Sequence, residues 1–169
     1  GDYAFRWCSR LRSVTIPDSV TDMGKSAFSG CDSLADLSLG HGISVIDNYA
    51  FNSCGNLVSI TIPDGVIRIG ASAFENCKRL RNVIIPDSVN RIEDGAFSYC
   101  PKLDTLVIGR GVTTIGKKAF SNSQITTITI PDSVTCFCEE AFYSSRMTIV
   151  YITGISNWCG IKFGHLSNP

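Results

Sequence analysis

The segment Leu57-Val58-Ser59-Ile60-Thr61-Ile62 sends Leu57, Ile60 and Ile62 to one side and Val58, Ser59 and Thr61 to the other. Period-two alternation of β-branched residues closed by a proline predicts a short strand. Equivalent strands start near Leu11, Leu34, Leu80, Leu103, Ile125 and Met147, giving seven in all. Pro17, Pro63, Pro86 and Pro131 end four of them, because proline has no N–H for the next ladder bond, and the Asp-Ser or Asp-Gly that follows supplies turn chemistry. Gly40 and Gly109 stand in for the proline in two copies, where backbone freedom is expected to keep the turn. A second extended stretch follows, Val66-Ile67-Arg68-Ile69 in one copy, with Val66 and Ile69 facing inward. Gly70-Ala71-Ser72-Ala73-Phe74 then predicts a short helical turn on the opposite side.

These elements recur with a fixed step. Cys8, Cys31, Cys54, Cys77 and Cys100 stand 23 residues apart, as do Phe5, Phe28, Phe51, Phe74, Phe97 and Phe120, each Phe preceded by Ala. A period of this length marks a solenoid, whose units cannot bury their apolar faces alone and stack to do so. The phenylalanine and cysteine columns then belong to the core. Cysteine acts here as a small apolar side chain, which favours free buried thiols. Neighbouring thiols about one strand spacing apart, ~4.8 Å, lie within disulfide range, so distance alone permits bridging.

The whole chain of 169 residues reads as one solenoid domain of about seven units, with a divergent tail over 153–169. Both ends interrupt the repeat pattern without polar caps, and exposed core edges of that kind favour end-to-end self-association. Fifteen basic and fifteen acidic side chains balance, so no net field draws nucleic acid. No apolar run approaches the ~20 residues a membrane helix needs, so no membrane insertion is expected.

The unit Ala-Phe-x-x-Cys, then Leu and the strand, closed by Ile-Pro-Asp-Ser-Val at Ile16–Val20, Ile85–Val89 and Ile130–Val134, resembles the BspA-like leucine-rich repeat, also called the Treponema pallidum type. The Val-Tyr-Ile-Thr and Trp of the tail resemble a segment that recurs in that family. Ser123 in the cysteine column and Phe137-Cys138 in place of Ile-Gly depart from the pattern. The resemblance implies a right-handed α/β solenoid, with one short strand per repeat in a parallel concave sheet and short helical turns opposite. It further implies a cell-surface or secreted protein that acts in adhesion, through a host matrix, host cell or bacterial surface protein. No catalytic residues and no cofactor come with the family.

Outward strand positions supply the candidate partner-binding residues: Arg12, Asp36, Ser59, Arg81, Asn82, Ile84, Asp104, Val107, Ile149 and Tyr151. Their columns vary along the chain while the core columns hold constant. Serine, threonine and valine suit any solvated strand face, whereas Ile84, Val107, Ile149 and Tyr151 are apolar where water is expected, which can mark a binding patch. Cover by the following segment or by Trp158 is the competing explanation for Tyr151. Asp18, Asp64, Asp87 and Asp132 recur after the prolines, but a calcium site needs six to eight converging oxygens, so they read as turn caps and no metal site is assigned. Lys78, Arg79, Arg81, Arg68 and Arg91 gather near the fourth strand and read as ordinary surface. Cys136-x-Cys138 is too closely spaced for the usual metal motif, and two histidines, His41 and His165, assemble no catalytic triad. A structural spacer with no ligand of its own remains the alternative to a binding module.

Overall fold

The computed structural model describes residues 1–154 and 162–163. In chain order the strands are β1 (Ser13–Thr15), β2 (Asp36–Ser38), β3 (Val45–Ile46), β4 (Ser59–Thr61), β5 (Arg68–Ile69), β6 (Asn82–Ile84), β7 (Arg91–Ile92), β8 (Thr105–Val107), β9 (Thr114–Ile115), β10 (Thr127–Ile130), β11 (Cys136–Phe137), β12 (Ile149–Ile152) and β13 (Lys162–Phe163). Every pairing is parallel, between residues one turn apart. The chain is therefore a parallel-strand solenoid.

The predicted strands form the first side in three ladders, β1 with β2, β4 with β6 and β8, and β10 with β12. Their register joins Ser13 to Asp36 and Ser59 to Asn82 and Thr105 at the 23-residue step, and Thr127 to Ile149 at 22, where the copy is one residue shorter. One strand per repeat is an undercount. The second extended stretch pairs as well, building a six-stranded flank in the order β3-β5-β7-β9-β11-β13. Val66 and Ile69 are fully buried there, and Arg68 points away from the core.

Helical turns are absent from the described residues, which corrects the mixed α/β expectation. Around each phenylalanine the chain instead makes two tight turns whose pivot residues are left-handed. Tyr49 and Ser53 lie at φ 58° and 59° on either side of Phe51, and Ser72 and Asn76 at 52° and 61° around Phe74. A helix needs consecutive right-handed residues and amides that bond within the segment. Here the alternate amides bond outward to the next turn: Tyr49, Phe51 and Ser53 donate to the carbonyls of Ala71, Ala73 and Glu75 at 2.9, 2.8 and 2.8 Å. The amides between them, of Ala50, Asn52 and Cys54, bond back three residues to Asp47, Tyr49 and Phe51, so the backbone demand is shared between successive turns and the tight turns themselves.

Phe5, Phe28, Phe51, Phe74, Phe97, Phe120 and Phe142 stack in one column, with neighbouring ring centroids 5.1–5.6 Å apart and planes within 13°. Offset contact at this separation adds about 0.5–1.5 kcal/mol per pair beyond burial. The buried cysteines run alongside. Cys31, Cys54, Cys77 and Cys100 each donate Sγ–H to the carbonyl of the phenylalanine one turn back, at 3.2–3.4 Å. All are free thiols. Burial pushes Cys54 and Cys100 up to about 12 and holds Cys77 well above the usual thiol range.

Gly40 and Gly109 have a different cause from the one expected. Neither occupies the left-handed region. A Cβ at Gly40 would lie 2.5 Å from the carbonyl carbon of Pro17, and one at Gly109 2.4 Å from the carbonyl oxygen of Pro86. Close approach of successive turns excludes the side chain.

Candidate functional site

The strand side displays three parallel columns, and each of the ten candidate residues lies exposed on it. Alternation explains why. Within β6, Val83 is buried and its neighbours Asn82 and Ile84 face outward, because successive side chains of a strand point to opposite faces. Ile84 pairs directly with Val107, and their side chains remain 60% and 50% exposed. Arg81 and Asp104 lie three residues earlier on the same two rungs, beyond the Asn82 and Thr105 pair, and the Asp104 and Thr105 amides both donate to the Arg81 carbonyl at 3.1 and 3.2 Å. The centre of the face is therefore an apolar pair edged by one cation and one anion.

Ile149 and Tyr151 form a second apolar spot on β12, opposite Thr127 and Thr129. The Thr129 rung separates it from Val107. At the other end, Ser13, Thr15, Asp36, Ser38 and Ser59 line a shallow depression together with the half-buried Val14 and Leu37. This depression falls where the first ladder ends at β2 and the second begins at β4. The face brings together Arg81, Asn82, Ile84, Asp104 and Val107, joins Ser59 to them through its pairing with Asn82 and to Asp36 across the depression, and sets Ile149 with Tyr151 apart. Trp158, Cys159, His165 and most of the 153–169 tail lie outside the described residues.

Several of the other charged groups have structural partners. Asp18 and Asp87 accept the backbone N–H of His41 and Arg110 one turn later, at 2.8 and 2.7 Å. They cap the next turn, a role the turn-cap reading assigned only to their own. Asp2, Asn48 and Asp94 do the same for Lys25, Ala71 and Lys117. Of the basic residues near the fourth strand, Arg68 pairs with Glu93 at 3.0 Å and Asp47 at 3.8 Å, and Arg79 donates to the Asn56 side chain at 3.1 Å. Arg81 alone of that group is on the strand face. Among the described residues no helix is long and apolar enough to cross a membrane.

Sequence reasoning missed the thiol pair on the flank. Cys136 in β11 and Cys138 just after it project from the same side of the chain, half-buried, with Sγ atoms 3.9 Å apart. Phe137 between them points into the core, so alternation alone was enough to pair them.

Three solved structures resemble the chain. A leucine rich repeat protein of T. pallidum matches at TM-score 0.75 and 27% identity, over 96% of this chain and 64% of its own. A leucine rich cell surface protein of Faecalibacterium prausnitzii matches at TM-score 0.49 and 24% identity, over 95% and 65%. A leucine-rich repeat protein of Bacteroides ovatus matches at TM-score 0.48 and 22% identity, over 97% and 58%. The chain thus spans less than two-thirds of the length of each. No curated protein matches it. The model of the BspA type leucine rich repeat region matches residues 1–104 and 44–159 in six copies. With that match over most of its length, and the phenylalanine, cysteine and proline columns in register, the chain belongs to the BspA-type leucine-rich repeat family.

Proposed function

We propose that this chain is a non-catalytic protein-binding module of a cell-surface or secreted adhesion protein, and that it meets its partner through the strand face. The observation that carries the reading is the direct pairing of Ile84 with Val107, solvent-exposed and edged by Arg81 and Asp104. A desolvated apolar centre with a charged rim is how protein interfaces are built. The partner class is a host matrix, host cell or bacterial surface protein, as the family resemblance implies, and no cofactor is required. Nothing in the balanced charge favours nucleic acid.

Serine and threonine fill much of the face at Ser13, Thr15, Ser38, Ser59, Thr61, Thr127 and Thr129. That composition favours the second reading, a spacer that presents another part of its parent protein. An array of matrix proteins and cell-surface glycans, probed with the monodisperse protein and with Arg81→Glu/Asp104→Lys, separates the two. Saturable capture lost in the double variant supports the binding module; capture no stronger than by an unrelated solenoid supports the spacer.

A further inference from the structure

We infer that Cys136 and Cys138 form a redox-active dithiol on the flank of the solenoid, which closes to an intramolecular disulfide by exchange with a small-molecule disulfide. This inference does not depend on the reading of the strand face. Three observations carry it. The two Sγ atoms already touch at 3.9 Å, and both side chains leave the same side of the chain, Cys136 from β11 and Cys138 from the residue that follows it. Their backbone is held in the flank sheet, where the Cys136 amide donates to Thr113 at 3.2 Å and the Cys138 amide to Ile115 at 2.9 Å. The ladder thus sets the two thiols in contact, and closing the bond from 3.9 Å to ~2.05 Å draws the two Cβ atoms to within about 4.5 Å, which bends the chain at Phe137.

The third observation is access. Cys31, Cys54, Cys77 and Cys100 are buried and their thiols are used inside the core, donating to phenylalanine carbonyls. Cys136 and Cys138 are half-exposed, and among the described residues their sulfurs bond to each other and to no core carbonyl. Reactivity of a thiol follows thiolate character and access together. Burial and the facing Cys136 sulfur push the Cys138 thiol up, with Arg91 pulling the other way. Cys138 thus keeps its proton at neutral pH and suits the second step.

The exchange balances as follows. The Cys136 thiolate attacks one sulfur of RSSR, forming a mixed disulfide and expelling RS⁻, which takes up the proton Cys136 gave to solvent. Cys138 then loses its proton to solvent and attacks the Cys136 sulfur, expelling the second RS⁻, which is protonated in turn. Two cysteine thiols are oxidised to one disulfide, and one RSSR is reduced to two RSH.

Trypsin cleavage after Lys118 and Arg146 isolates both residues in a peptide that holds no other cysteine. The folded protein is treated with oxidised glutathione, quenched in acid, digested and weighed. The expected result is a 119–146 peptide lighter by two hydrogens, while Cys136→Ser and Cys138→Ser each retain a glutathione adduct on the remaining thiol. A stable adduct on the wild-type peptide, no modification of it, or oxidation of Cys54, Cys77 and Cys100 ahead of it would overturn the inference. Phenylarsine oxide gives a second readout that needs no oxidation. Protection of both thiols from alkylation in the wild type, lost in either serine variant, is the result expected of a dithiol; equal alkylation in all three proteins contradicts it.

Discussion

Cys77 donates its thiol hydrogen to the carbonyl oxygen of Phe51, one turn back and 3.4 Å away. The contact joins the two core columns at a carbonyl that also accepts the Cys54 amide at 3.2 Å. Ser123 occupies the same column position, fully enclosed, and its shorter hydroxyl finds no partner. An unpaired buried hydroxyl costs about 1–3 kcal/mol. Ser123→Cys should therefore raise stability by about 1 kcal/mol, by bonding to the Phe97 carbonyl, and Cys77→Ser should lower it by a similar amount. Thermal unfolding of both variants checks the pair, and a fall in the midpoint of Ser123→Cys would refute the account of the column.

Phe74 lies between Phe51 and Phe97, with ring centroids 5.4 and 5.1 Å away. Truncation to alanine removes two stacking partners and leaves a cavity in mid-column, at a cost of about 3–5 kcal/mol. Each turn contacts only its neighbours, so the loss should broaden the transition as well as lower it. Denaturant titration followed by circular dichroism reads both; an unchanged midpoint would contradict the prediction.

Alkaline pH should weaken the fold through the column thiols. In the unfolded chain a cysteine titrates near 9, whereas burial holds Cys54 and Cys100 at about 12. Above pH ~9 the unfolded chain gives up protons that the folded chain retains, which favours unfolding. Stability contributed by the buried thiols is thus complete below pH ~9 and declines as pH rises toward ~12. Urea midpoints measured from neutral pH upward should fall across that window, and should fall less in Cys54→Ala/Cys100→Ala. A flat wild-type profile would show that the thiols titrate alike in both states.

Ser144 sits at φ 58° in the last described turn around a phenylalanine, exposed to solvent. Left-handed geometry costs an L-residue about 1–2 kcal/mol, most for a β-branched one. Ser144→Gly should be neutral or stabilising by up to about 1 kcal/mol, and Ser144→Val destabilising by about 1–2 kcal/mol. The reverse order in melting temperature would mean that this segment is not pivoted as described.

Those left-handed pivots also show where sequence reasoning stopped. Repeat length, the seven face strands, the inward set Leu57, Ile60 and Ile62, and the phenylalanine and cysteine columns were all legible, because each is a periodicity and periodicity survives translation into structure. The turn around Phe74 was read as helical because Gly-Ala-Ser-Ala-Phe favours no other local structure. What decides it is the ladder of amides to the next turn, a contact between residues 22 apart such as Phe74 to Ala96, to which local propensity is blind. The same blindness hid the caps from Asp18 to His41 and from Asp87 to Arg110. On the candidate face, the sequence placed Ile84 and Val107 on one side, and the register made them neighbours. Which partner they contact is a question about another molecule's surface.

The binding claim meets its most direct test at Ile84. Affinity for a captured matrix or surface protein would be measured by titration for the wild type, for Ile84→Asp on the strand face, and for Tyr143→Asp on the turn side, each with its fold verified by thermal unfolding. A binding face centred on the Ile84 and Val107 pair predicts at least a tenfold loss for Ile84→Asp, about 1.4 kcal/mol or more, with Tyr143→Asp indistinguishable from wild type. Equal affinity in all three proteins, or a loss confined to Tyr143→Asp, would contradict it.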